Sequence, residues 1–150
     1  MTQSLPQTSL YQQDFALWAE DTIAKLKAGK FEQLDIENLA EEIEALVSSE
    51  KRELRNRLVV LIAHILKRIY VDSTYDNRGW MLTIEEQRDA IELLLEDSPS
   101  LNSLFTDSLS KLYLDALKKV RSEYRGVDFP AEWQFSREID SILNESFWKE

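Results

Sequence analysis

The chain has no cysteine, one histidine, three glycines and three prolines in 150 residues. Without thiols there is no disulfide, thiolate zinc site, iron–sulfur cluster or cysteine nucleophile. Such usage fits a reducing compartment. A single His also excludes paired-histidine metal sites, including the Glu-x-x-His motifs that di-iron bundles need on two helices. So little Gly and Pro excludes collagen-like, elastic or linker-type chains. Long apolar runs are missing too. The most apolar stretch, residues 58–66, contains His64 and is far shorter than the roughly 20 residues of a membrane span. The opening Met1-Thr2-Gln3-Ser4-Leu5-Pro6-Gln7 lacks the basic segment and apolar run of a secretory signal. A cytoplasmic protein away from membranes is expected. Basic residues are outnumbered, 18 Lys and Arg against 28 Asp and Glu, for a formal charge of −10. The chain as a whole therefore repels nucleic acid and anionic membranes. It carries neither a Gly-rich phosphate loop nor a serine in a nucleophile elbow.

What is there is a soluble globular composition, 43% hydrophobic and 31% charged, on a chain long enough for one domain with a real core. Residues 1–10 are polar and expected to fray; residues 11–150 are expected to form a single helical domain. Phe15, Trp18, Ala19, Thr22 and Leu26 recur at helical spacing over residues 14–28, with Asp14 as N-cap and Gly29 as the left-handed stop. Asp35 caps a second helix. Its stripe of Ile36, Leu39, Ala40, Ile43, Leu46 and Val47 continues through Leu54, Leu58, Leu61, Ile65 and Ile69. This predicts one helix of about 35 residues or two with a kink at Ser48-Ser49. Residues 71–79 carry turn chemistry, and Thr83 with Glu86 has the form of a capping box opening the next helix. Ser98-Pro99 starts a long helix that ends near Tyr124, before Gly126. Phe129-Pro130 lies in an extended connector, and Ser136 opens a short last helix. No segment alternates with period two. The class is all-α, a bundle of five or six helices with one or two long central ones.

An ordered set of residues runs through this pattern. It comprises Leu10-Tyr11, Asp14-Phe15 and Trp18; Asp35-Ile36-Glu37-Asn38-Leu39-Ala40-Glu41-Glu42-Ile43-Glu44; and His64-Ile65-Leu66-Lys67. It goes on with Trp80, Thr83-Ile84, Gln87-Arg88, Pro99-Ser100-Leu101, Tyr113, Ala116 and Phe129-Pro130. The set resembles the bacterial, largely cyanobacterial family catalogued as domain of unknown function twenty-nine, from about residue 10 to the end. The resemblance implies a helical domain and carries no catalytic residues across. One departure is Arg68, which stands where the family pattern leads one to expect an aromatic residue.

Charge is polarised along the long helix. Residues 31–50 hold Glu32, Asp35, Glu37, Glu41, Glu42, Glu44 and Glu50 with no base, whereas residues 51–68 hold six bases against Glu53 alone. The plain reading is solvated faces with i,i+4 pairs worth about 0.2–0.5 kcal/mol each. The functional reading is a surface for an anion or a charged partner. Within the basic half, Arg57 and His64 are seven residues apart. That places them within about 20° of one azimuth, with Arg68 on the same stripe at the edge of the apolar face. An Arg six intervening residues before a His also looks like the motif of the helical HEPN ribonucleases, which cut RNA without metal as dimers. His can move protons near neutral pH, and Arg can stabilise a phosphoryl charge. The plainer expectation for His64 is a packed ring bonded to a carboxylate such as Glu42. Glu37, Glu41 and Glu44 share a face that could hold a hard cation but reads as solvated. Trp80 and Arg88 could stack on a ligand. The plainer expectation is Trp80 anchoring a loop and Arg88 bonded to Glu41 or Glu42.

The preferred reading is a non-enzymatic domain that binds another protein or itself. Glu41, Glu42, Lys67, Arg68, Trp80 and Arg88 are its candidate binding residues, and neither cofactor nor metal is expected. The alternative is a metal-independent ribonuclease built on Arg57 and His64, the only reading in which nucleic acid is a partner.

Overall fold

A computed structural model describes residues 9–149. Most of the expected frayed segment, residues 1–8, lies outside the described residues; Ser9 and Leu10 begin the first helix. The fold is all-α. Among the described residues six α-helices follow in order: α1 Leu10–Gln13, α2 Phe15–Lys27, α3 Ile36–Leu66, α4 Asn77–Asp97, α5 Asn102–Glu123 and α6 Ile139–Asn144. Short 3-10 turns sit at Phe31–Gln33 and Pro99–Leu101, and a π-turn at Lys67–Val71 extends α3. Among the described residues there is no strand. Contacts cluster into two compact units, Met1–Ser48 and Ser49–Glu150.

Local chemistry sets the boundaries in the first unit. Ser9 accepts from the Gln12 amide to cap α1, a one-turn helix that the helical spacing from residue 14 onward does not reveal. Asp14 Oδ1 accepts from the Leu17 amide at 3.0 Å and opens α2. At the other end Gly29 takes φ of 72°, and Lys30 N–H reaches back to the Lys25 carbonyl at 2.9 Å. That is the left-handed closure which favours glycine. Asp35 accepts from the Asn38 amide and side chain, so α3 starts where expected. The helix is continuous through Ser48-Ser49. Two serines lower propensity without removing a hydrogen bond, so the helical hydrogen bonding runs on through them.

The second unit holds the core. The C-terminal half of α3 brings Leu54, Leu58, Leu61, Ile62, Ile65 and Leu66 to near-zero exposure. They pack with Ile84 and Ile91 of α4, Phe105, Leu109, Tyr113 and Val120 of α5, and Ile142 of α6. Trp133 joins this cluster, donating from Nε1 to the Ser136 carbonyl at 2.9 Å, and the Tyr113 hydroxyl donates to the Pro130 carbonyl. Two sequence boundaries move. α4 begins at Asn77, six residues before the expected cap. Thr83 lies inside it and donates to the Gly79 carbonyl one turn back. The turn at 72–76 is short because Ser73 and Asp76 close it with mutual bonds, and Gly79 is tolerated in the helix. The last helix starts at Ile139 rather than Ser136, whose hydroxyl and carbonyl are used in the preceding turn.

Candidate functional site

The basic half of α3 is buried over a wide arc. Besides the expected stripe, Val59, Ile62, Ala63 and Leu66 are covered. What stays half-open is the narrow strip of Arg57, Val60, His64 and Arg68, which a 100° step per residue places within about 80° of one another. Arg57 and His64 share an azimuth on α3 and Arg68 follows in the π-turn, but each side chain is engaged locally. Arg57 Nη1 donates to Gln87 Oε1 of α4 at 3.2 Å, and its Nε stands 3.5 Å from Glu53 Oε2. That Nε is buried without a well-formed hydrogen bond. His64 Nδ1 lies 2.8 Å from the Val60 carbonyl of its own helix. The expected carboxylate partner, Glu42, instead accepts from the Tyr11 hydroxyl, whose pKa this bond pushes up to about 12. Burial lowers the His64 pKa. The bond to the Val60 carbonyl works against that, and Lys67 adds to the lowering. The ring is thus held neutral, with Nδ1 as donor to the carbonyl.

One turn from His64, a groove of about 660 Å³ runs between α3 and α5 beside Asn56, Val59 and Val60 on one side and Asp115, Lys118 and Lys119 on the other. Glu123 also lines it and pairs at 2.8 Å with buried Lys67, which lies 6.0 Å from the Tyr124 ring. The Tyr124 ring also meets Trp80 edge-on at 6.2 Å. Trp80 is a buried residue inside α4 rather than a loop anchor.

Arg88 does not bond Glu41 or Glu42. Its Nε donates to the Ile142 carbonyl at 3.0 Å and its Nη2 to the Glu145 carbonyl at 2.6 Å. These carbonyls lie in and just after the last turn of α6, where helix carbonyls lack intrahelical partners and the dipole favours a cation. Burial depresses the Arg88 pKa without displacing the charge. Arg88 also lies 5.8 Å from the Trp148 ring, and Arg68 lies 5.6 Å from the same ring. Arg68 further donates to Asp72 at 3.2 Å. Two guanidinium groups thus share one indole, a stack that sequence reading missed because its members lie up to 80 residues apart. The expected aromatic at position 68 is replaced by a cation resting on an aromatic supplied from the C-terminal segment.

The acidic half of α3 is different in kind. Glu41 is exposed and Glu42 half-buried. Among the described residues no group of three or more acidic or histidine side chains is arranged to hold a metal ion, so Glu37, Glu41 and Glu44 form no such site. Within the described part of the first unit the only buried residues are Trp18 and Thr22. Tyr11 and Phe15 flank the Trp18 ring at 4.8 and 5.8 Å. Thirteen large apolar side chains are exposed among the described residues, and nine belong to this unit: Phe15, Leu17, Ile23 and Leu26 of α2, Phe31, and Ile36, Ile43, Leu46 and Val47 of α3. Their exposure runs from 41% to 67%. On α2 the expected stripe is divided, with Trp18 and Thr22 buried and Phe15 and Leu26 exposed, whereas on α3 Ile36, Ile43, Leu46 and Val47 are all exposed.

No helix among the described residues is long and apolar enough to cross a membrane. No curated protein and no solved structure matches the chain. The family model described as Domain of unknown function DUF29 matches residues 10–148, and to that family the chain belongs.

Proposed function

We infer that the protein is a non-enzymatic helical interaction module that works through the open apolar face of its N-terminal unit. One observation carries this reading: nine exposed large apolar side chains on a unit with two buried residues among those described. Single exposed apolar residues are ordinary, whereas a concentration of them marks a surface that another polypeptide covers. Fully burying one Leu or Ile side chain is worth about 1.5–3 kcal/mol; these nine are 41–67% exposed, so each offers about half of that and many must be covered together to exceed the cost of association. The charged residues flanking the stripe supply selectivity. The test places a photo-crosslinking residue at Leu46 of the full chain in cells. A discrete protein adduct is expected that is lost on Ile43→Lys, with none from the same probe at exposed Asp107. No adduct from position 46 removes the reading.

The ribonuclease alternative draws on Arg57, His64 and Arg68 sharing one half-open strip. It has less behind it. Arg57 is held by Glu53 and Gln87, His64 by Val60, and Arg68 by Asp72 and Trp148. Mixed RNA incubated with the protein and a chelator is expected to stay intact, equally for wild type and His64→Ala. Cleavage lost on that substitution would reverse the order of the two readings.

A further inference from the structure

We propose that a pocket between α5 and the connector at residues 131–137 binds a free α-amino acid with an apolar side chain. The pocket lies wholly in the second unit, and the proposal is independent of the interaction reading.

The pocket has a volume of about 350 Å³. That is near the small end of the roughly 300–1,000 Å³ of ligand sites and suits a small molecule rather than a polypeptide. Its floor is apolar and fixed. Leu109, Tyr113 and Trp133 line it, and all three are buried. The polar tips of both aromatics are already used. The Tyr113 hydroxyl donates to the Pro130 carbonyl and ties the connector to α5. Trp133 Nε1 donates to the Ser136 carbonyl and closes the connector on itself. The Trp133 ring is further wedged edge-on against Tyr113, Phe135 and Phe147 at 6.1, 5.1 and 5.4 Å. The floor therefore has no side-chain donor left to offer. Leu114, 58% exposed, adds an apolar wall.

The remaining lining is charged with both signs. Arg137 Nη2 donates to Ser110 Oγ of α5 at 3.1 Å, which holds the guanidinium at the pocket that both residues line. Glu132 lines it from the connector. Among the described residues neither Arg137 nor Glu132 forms an ion pair, with each other or with a third group. A guanidinium beside a hydroxyl suits a carboxylate, which Arg meets with parallel donors. Glu132 suits an ammonium. A simple carboxylate would bring its charge towards Glu132, and a simple amine towards Arg137. A carboxylate and an ammonium on one carbon, followed by an apolar side chain, meet both charges and the floor together.

The test is equilibrium dialysis of radiolabelled L-phenylalanine and L-leucine against the full chain. Retention with a dissociation constant of about 1 mM or below is expected. Wild type is expected to hold phenylalaninamide, which lacks the carboxylate, and N-acetyl-L-phenylalanine, which lacks the ammonium, about tenfold more weakly. Arg137→Met and Glu132→Gln, both at exposed positions, are each expected to raise the L-phenylalanine dissociation constant by about tenfold with unchanged circular dichroism. Lys118→Met, in the groove between α3 and α5, is expected to leave it unchanged. No retention of either amino acid by wild type at about 5 mM overturns the site. So does retention that Arg137→Met and Glu132→Gln both leave unchanged. N-acetyl-L-phenylalanine or phenylalaninamide held as tightly as the free amino acid overturns it too, and this comparison needs no variant to fold. Each of these failures leaves the interaction reading standing, because that reading is tested separately at Leu46.

Discussion

The imidazole of His64 is held neutral chiefly by burial, with Lys67 adding to the lowering and the Val60 carbonyl bond opposing it. Its pKa in the fold is below the value it takes in the unfolded chain. Its contribution to stability is therefore complete above the unfolded value of about 6.5. It is lost as the pH falls from there through the lower folded pKa, because the unfolded chain binds the proton first. The melting temperature is expected to drop on acidification below about pH 6.5, and His64→Gln to flatten that drop. Thermal melts of both proteins across pH 5–8 check this. Equal slopes would mean that carboxylates alone set the acid limit. The reading of Arg57 and His64 was legible in the sequence as far as azimuth, since that follows from helix period. Their partners were not. Gln87 and Val60 compete for these side chains through contacts that spacing cannot rank.

At the scale of elements, α6 is a six-residue helix held from outside. Arg88 satisfies carbonyls at its end, and Trp148 lies buried beside the two guanidinium groups. Trp148→Ala is expected to cost about 3–5 kcal/mol, as for a large buried aromatic. Arg88→Met, which keeps the stem and removes the donors, is expected to cost about 1–3 kcal/mol. Urea denaturation measures both. A near-zero effect of Arg88→Met would show that water replaces the guanidinium at those carbonyls. The helices themselves were readable from caps. Asp14, Gly29 and Asp35 each do locally what their residue type suggests. Thr83 with Glu86 misled because a capping box is also a legal sequence inside a helix, and Ser73 and Asp76 provided an earlier start. Arg88 could not have been assigned, since its acceptors are backbone atoms more than fifty residues away.

For the whole molecule, the distribution of buried residues matters most. The stripe along α3 has the same period before and after Ser48, so sequence alone predicts burial throughout. In the second unit Leu54 onward packs with α4, α5 and α6, whereas in the first Ile36, Ile43, Leu46 and Val47 stay exposed. Amides of α2 and of residues 36–47 are expected to exchange with deuterium well before those of residues 54–66, and to slow when the open face is covered. Hydrogen-exchange mass spectrometry checks both parts. Leu46→Lys is expected to change unfolding free energy by less than about 0.5 kcal/mol, against about 2–5 kcal/mol for Leu58→Ala. A large loss from Leu46→Lys would place that side chain inside the folded monomer.

The order of synthesis gives this asymmetry a further meaning. Ribosomes make residues 15–47 before the part that holds the main core, so their exposed apolar side chains leave the exit tunnel before α4 and α5 exist. Neighbouring nascent chains on one messenger RNA would present those surfaces to each other at high local density. Whatever covers those surfaces meets them before the core of the second unit has formed.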